Sequence, residues 1–393
     1  MIRVLPVIVL SQFLCTTLWF VGNAVMPEIM SRFGLDELFF AHQTSAVQLG
    51  FITGTLVFAL LTVADRFSPS KVFFTCALLA AGLNALLLNE ANGVTSLLVL
   101  RFVTGFFLAG SYPVGMKIAA DHFDKGLGKS LGYLVGALVL GTAFPHLLRG
   151  YLAGFRWEYV VSTTSCLAVA GGVLILMYVP DGPHRRPAGS VDFAVVGKVF
   201  RLPEFRSPAL AYFGHMWELY TFWVFVPWIL STYAGLHPEL TWNVSWWSFL
   251  VIGSGGLACV GAGYLSMIIG ERTTATVALA LSGICCLLSP IAFTALPPAA
   301  FLAFLFFWGL VVVADSPMFS TLVARNTHAE QRGTALTVVN SIGFLITIIS
   351  IQFIGRLSLT IPFAYLFLFL AIGPALALVA LAAGRKHTHE PAL

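Results

Sequence analysis

The chain has 393 residues, a hydrophobic fraction of 58%, a charged fraction of 10% and a formal net charge of +4. A soluble domain carries about 25% charged residues, and no soluble core of this length hides so many apolar runs of about 20 residues. Composition therefore excludes a soluble protein, and the chain reads as an all-α integral membrane protein.

Twelve spans are expected, at roughly 4–25, 41–64, 71–90, 94–119, 130–150, 158–179, 208–233, 243–268, 273–294, 299–323, 334–356 and 362–384. The first follows directly on Met1-Ile-Arg3 without a small-residue cleavage site, so it reads as a retained span and not a removed signal peptide. It carries a polar stripe, with Gln12, Thr16, Trp19 and Asn23 recurring at spacings of 4, 3 and 4 on one helical face. Lipid offers such groups no partner, so the stripe faces protein or water. Span two repeats the pattern with Ser45, Gln48 and Thr55, and span eleven with Thr337, Asn340 and Thr347. For each amide alone, interhelical hydrogen bonding competes with a ligand-facing role.

Span four contains Arg101, Tyr112 and Lys117. A buried guanidinium must be paired or hydrated. Arg101 therefore either meets a solute or holds spans together through an acid or main-chain carbonyls. Lys117, near the inner end, is expected to snorkel to the cytoplasmic surface. After span six, residues 181–207 form a polar, Pro/Gly-containing linker between an N-terminal half, 1–180, and a C-terminal half, 208–393. Part of it, Val191 to Arg201, is expected to form a basic surface helix against anionic lipid.

Span seven, within Ala209–Ile229, places Glu218 near the middle of an apolar run. An ionised carboxylate there is costly, so an intramembrane acid is by default a functional-site hypothesis; the competing reading is a protonated packing carboxyl. Gly214, His215 and Thr221 share its helical face, and Trp217, Trp223 and other aromatics cover much of the remainder. The second intramembrane acid is Asp315 of span ten, followed by Ser-Pro317, with Trp308 seven residues before it on the same face. Pro317 removes a backbone hydrogen bond and bends the helix, and Asp315 either serves the site or bonds the freed backbone.

The six cysteines all lie inside apolar runs, without metal-ligand spacing or an extramembrane pair that suggests a disulfide. With both termini assigned to the cytoplasm, fifteen Lys and Arg fall on inner segments and four (Arg32, Arg149, Arg156 and Arg356) on outer ones. That asymmetry sets the orientation. The halves also look duplicated: Gly105 and Gly309 are 204 residues apart, as are Pro113 and Pro317. The expected architecture is twelve transmembrane helices in two six-helix pseudo-repeat bundles, with a site between them near the midplane.

Between spans two and three runs Ala64-Asp65-Arg66, with Lys71 behind it, and span four carries Arg101 and Gly105 in an Arg-x-x-x-Gly spacing. On these residues and the linker-divided halves the chain resembles the major facilitator superfamily of secondary transporters. In that family the cytoplasmic signature reads Gly-x-Leu-Ala-Asp-Arg-x-Gly-Arg-Lys. Here Leu61, Val63 and Ser68 depart from it, and Met267 stands at the acidic position of the second copy, which begins at Gly263. The family's exporter run in span five ends in Gly-Pro, whereas here Gly141 and Pro145 are four residues apart. The resemblance implies a gate at Asp65 and Arg66, and a cavity lined by spans one, four, seven and ten.

The expected function is proton-coupled secondary active transport of a small organic solute across the inner or plasma membrane by alternating access. Glu218 is the principal proton or substrate carboxylate on a watery passage, and Asp315 the second. Trp19, Asn23, Tyr112, Trp217, Trp223, Trp308 and Asn340 would contribute walls and polar contacts. Arg101 binds an anionic group or balances an acid, and His215 sits one turn from Glu218. Uptake by symport is favoured on the degraded exporter run; the alternatives are proton-antiport efflux of drugs or metabolites and an uncoupled facilitator. No phosphate loop, metal cluster, nucleophile triad or nucleic-acid surface is legible, so the expectation is no enzyme, no cofactor beyond the proton gradient, a monomer and no nucleic-acid partner.

Overall fold

A computed structural model describes residues 4–123, 127–185, 197, 199–327 and 332–387. The surface helix expected over Val191 to Arg201 lies largely outside the described residues. The described residues are helical and contain no β-strand, and ten helical stretches are long and apolar enough to cross a bilayer. The chain divides into two compact units, residues 1–188 with 224–256 and residues 189–223 with 257–393.

In the first unit, span one is broken. α1 (Val4–Thr16) ends in a turn, followed by α2 (Val21–Ala24) and α3 (Met26–Phe33). The sequence encodes the break in two adjacent threonines. Thr16 Oγ1 donates to the Gln12 carbonyl at 2.9 Å and Thr17 Oγ1 to the Leu14 carbonyl at 2.7 Å, so side chains occupy main-chain acceptors where the helix unwinds. α4 (Phe39–Leu60) packs against α7 (Val94–Leu108) with backbone touching backbone. A Cβ on Gly50 would stand 1.8 Å from the Phe102 carbonyl oxygen, and one on Gly105 would stand 1.9 Å from that of Val47. Only glycine admits such an approach.

Between them, α5 (Val63–Arg66) and α6 (Pro69–Ala85) turn the chain, with Thr62 in left-handed conformation at φ 48°. A β-branched residue there is strained. α8 (Tyr112–His122) restarts span four after a break at 109–111, with Pro113 in its first turn, where no intrahelical N–H is needed. α9 (Leu127–Tyr151) and α10 (Glu158–Tyr178) complete the N-terminal helices.

α11 (Pro203–Leu236) and α12 (Val244–Ile269) contribute to both units, their 224–256 portion to the first and the rest to the second. The second unit also contains α13 (Glu271–Ala295), α14 (Pro298–Ala314), α15 (Ser316–Arg325), α16 (Arg332–Leu357) and α17 (Ile372–His387). Asp315 occupies the break between α14 and α15, with Pro317 in the new first turn. The two prolines 204 residues apart thus mark two helix restarts. α17 is preceded by a nine-residue 3₁₀ segment, Phe363–Ala371, unusually long for that geometry.

Candidate functional site

Glu218 lies on the part of α11 that belongs to the second unit, with 1% of its surface exposed. Trp308 Nε1 on α14 donates to Oε1 at 2.8 Å, and Cys286 Sγ on α13 donates to the same oxygen at 3.2 Å. Ser282 Oγ, one turn before Cys286, lies 2.9 Å from Oε2 and also 3.1 Å from the Leu279 carbonyl. The expectation that Glu218 lines an open passage is corrected by this geometry. The carboxylate is enclosed by three helices of one unit, because three side-chain donors replace the water it would otherwise need.

Ser282 gives this seam a particular chemistry. A hydroxyl has one proton and two lone pairs. With Glu218 ionised, Ser282 donates to Oε2. With Oε2 protonated, the carboxyl donates to Ser282 Oγ, which turns its own proton to the Leu279 carbonyl. Either charge state leaves the groups satisfied, and Trp308 and Cys286 donate to Oε1 throughout.

One turn earlier on α11, His215 Nδ1 stands 2.8 Å from Asp315 Oδ1, and both side chains are 1% exposed. Among the described residues neither His215 Nε2 nor Asp315 Oδ2 has a hydrogen-bond partner. Phe319 and Tyr212 wall the imidazole, each 5.9 Å between ring centroids. α11 therefore carries two buried acid clusters one turn apart, His215 with Asp315 and Glu218 with Ser282, Cys286 and Trp308.

The remaining expected site residues divide. Trp308 joins Glu218 directly, with Phe222 against its indole at 4.5 Å. Trp217 faces elsewhere: Nε1 donates to the Phe369 carbonyl of the 3₁₀ segment at 3.0 Å, and its own carbonyl accepts from Ser350 Oγ at 2.6 Å. Trp223 is buried beside Tyr220. Asn340 is half-buried on α16 and is hydrogen-bonded to neither acid.

In the first unit, Asn23 donates to Thr44 Oγ1 at 2.9 Å and accepts from Gln43 Nε2 at 3.0 Å. Trp19 packs on Phe51 at 4.7 Å, and Tyr112 is half-buried at the start of α8. Of the two roles open to Arg101, the structure shows the structural one. Nη2 donates to the Trp19 carbonyl at 2.6 Å and the Leu18 carbonyl at 3.2 Å, and Nη1 reaches Leu18 and, at 3.4 Å, Asn84 Oδ1. The guanidinium thus satisfies the carbonyls freed where span one unwinds.

Lys117 lies near the cytoplasmic end assigned by charge, with its side chain 23% exposed. Its Nζ lies 2.9 Å from Asp65 Oδ1 and 3.2 Å from Asp121 Oδ1. Arg66 Nε donates to Thr62 Oγ1 at 3.0 Å. Arg185 Nη2 donates to the Asp65 and Phe67 carbonyls, both at 2.8 Å, fixing the start of the linker to this loop.

Polar partners that the sequence did not single out include Ser282, Cys286, Asn84, Gln43, Thr44 and Ser350. Ser282, Cys286 and Ser289 recur at helical spacing, a stripe that marks the α13 face toward Glu218. Asn84 is a lone amide in an apolar run and carries no such signal.

A profile of the Major Facilitator Superfamily matches residues 8–350. The chain belongs to the Major Facilitator Superfamily. It is therefore a multi-pass membrane protein of a transporter family, not of an enzyme family. Its fold is similar to that of the human organic anion transporter MFSD10 (TETRAN), with a TM-score of 0.77 and 15% identity over 96% of this chain and 99% of that one. The efflux pump FUB11 of Gibberella moniliformis is 31% identical over 157 residues, 38% of this chain and 26% of its own length. The inner membrane transport protein YnfM of Escherichia coli is 26% identical over 168 residues, 42% of this chain and 39% of that protein. The match spans about a quarter of the length of the fungal pump.

Proposed function

We propose that this superfamily member is a proton-coupled secondary transporter that moves a small organic solute across the inner or plasma membrane by alternating access. Twelve spans in two six-helix bundles, with both termini in the cytoplasm, complete the reading. It functions as a monomer and needs no cofactor beyond the proton gradient. The observation that carries proton coupling is Ser282 Oγ placed between Glu218 Oε2 and the Leu279 carbonyl. This hydrogen-bond inversion lets a proton reside on or leave Oε2 without stranding a buried polar group. The Asp315–His215 pair lies one turn away, 2.8 Å apart and buried in the same unit. Solvent reaches the seam only when its three helices part, which ties protonation to conformational change.

Two observations shape the direction and cargo. Relatives named efflux pumps support proton-antiport export over the uptake symport favoured by the degraded Gly-Pro run. Arg101 is committed to main-chain carbonyls while two acids remain in the interior of the second unit, which supports a cationic or neutral solute. The test is ethidium accumulation in inverted membrane vesicles energised by a proton gradient, compared with downhill exchange. Glu218→Gln should abolish gradient-driven accumulation and keep exchange. Accumulation at the wild-type level would remove Glu218 from the coupling step.

A further inference from the structure

The contact between the C-terminal end of α9 and the N-terminal end of α12 lies wholly within the first unit, on the face that the charge bias assigns to the outside. Asn243 serves both helices. Its Oδ1 accepts from the Trp246 backbone N–H at 3.1 Å, the N-cap bond that starts α12. Its Nδ2 donates to the Gly150 carbonyl at 3.2 Å, in the last turn of α9, where carbonyls lack intrahelical partners. Trp246 then lies directly on Gly150: an added Cβ would stand 2.8 Å from Trp246 Cδ1. The Tyr151 ring closes the other side, 4.6 Å from the indole.

A second contact is purely aromatic. Phe40 of α4 packs edge-on to Phe225 at 5.2 Å and tilted against Trp228 at 5.2 Å, both on the part of α11 grouped with the first unit. Farther into the bilayer Gly256 of α12 meets α9 closely, with its Cβ position 2.9 Å from Leu140 and 3.1 Å from the Gly136 carbonyl. These contacts bury aromatic area, and among the described residues the polar join between α9 and α12 at the rim is a neutral hydrogen bond. Such a bond contributes a net 0.5–1.5 kcal/mol, roughly a 2- to 12-fold bias in an equilibrium.

We propose that Asn243, with Trp246 seated on Gly150, is an outer latch that holds α9 and α12 together and opens once per transport cycle. The proposal rests on the transporter reading for its cycle but not for its geometry. It makes Asn243 and Gly150 positioning residues, which set the population of the outward-open state without touching the solute.

Asparagine's two functions can be separated. Asn243→Asp keeps the N-cap acceptor and places a favourable negative charge at the helix N-terminus, but replaces the amide donor with an oxygen facing the Gly150 carbonyl. Gly150→Val removes the seat for the indole and leaves Asn243 intact. Spin labels at Phe155→Cys and Thr241→Cys, exposed sites on either side of the latch, with Cys166→Ser removing the exposed native thiol, report the α9–α12 separation in the full chain.

With the native latch a short-distance population should dominate. In both Asn243→Asp and Gly150→Val a longer population should rise roughly three- to tenfold, and ethidium flux in vesicles should change with it. An unchanged distance distribution in Asn243→Asp overturns the latch. So does a shifted distribution with ethidium flux at the level of the native latch. A shifted distribution with no flux of any probe, in the wild type as well as the variants, leaves the latch standing and overturns the transport reading instead.

Discussion

Arg101 Nη2 stands 2.6 Å from the carbonyl oxygen of Trp19. The only cationic side chain in the hydrophobic middle of span four is thereby tied to the unwound turn of span one, and the bond explains how a helix can break there at all. Removing the guanidinium as Arg101→Met would leave the Leu18 and Trp19 carbonyls short of a donor, at about 1–3 kcal/mol for each buried group. Arg101→Lys should recover only part of that, since an ammonium lacks the planar fork that reaches both oxygens. Thermal unfolding of purified protein in detergent should order the variants as wild type, Lys, Met. A variant of native stability with only a raised KM for solute would show that Arg101 contacts cargo.

Close approach of α4 and α7 makes a second expectation. Gly105→Ala places a methyl 1.9 Å from the Val47 carbonyl oxygen, so the two backbones must move apart, at about 1–3 kcal/mol. Gly82, on an exposed face of α6, has nothing within 4 Å of its Cβ position, and Gly82→Ala should be neutral or stabilising by up to ~1 kcal/mol. Equal melting temperatures for the two alanine variants would contradict the backbone contact.

Lys117 bridges Asp65 and Asp121 with its side chain 23% exposed. Partial solvation limits the Lys117–Asp65 pair to a coupling of about 0.5–1 kcal/mol, measurable in a double-mutant cycle of Asp65→Asn and Lys117→Met. Additive single-variant effects would mean that the pair contributes nothing. Raising salt should shrink the coupling, because these groups meet water.

Much of this was legible in the residues alone. Near-continuous apolar runs gave the helices, Asp65-Arg66 and Arg101-x-x-x-Gly105 pointed to the family, and spacing on α11 placed His215 beside Glu218. Periodicity also put Trp308 on the Asp315 face, but it could not say that its indole crosses to Glu218. For Lys117 the sequence supports an ammonium near the surface, but which carboxylates it meets, Asp65 and Asp121, depends on how the turns pack. The sequence leaves two roles open to Arg101 because main-chain carbonyls are invisible in it until a helix is seen to unwind.

Local physics in the chain thus decided which segments are helical, that they belong in a bilayer, and which side chains are too polar to face lipid. Those properties depend on composition and on the 3.6-residue period, both written in consecutive residues. Partner choice belonged to the tertiary structure: Ser282 and Cys286 reach Glu218 across 64 and 68 residues of chain, and Arg101 reaches Leu18 across 83. Hydrogen bonds act over about 3 Å, so only the packing of distant helices determines which buried groups meet.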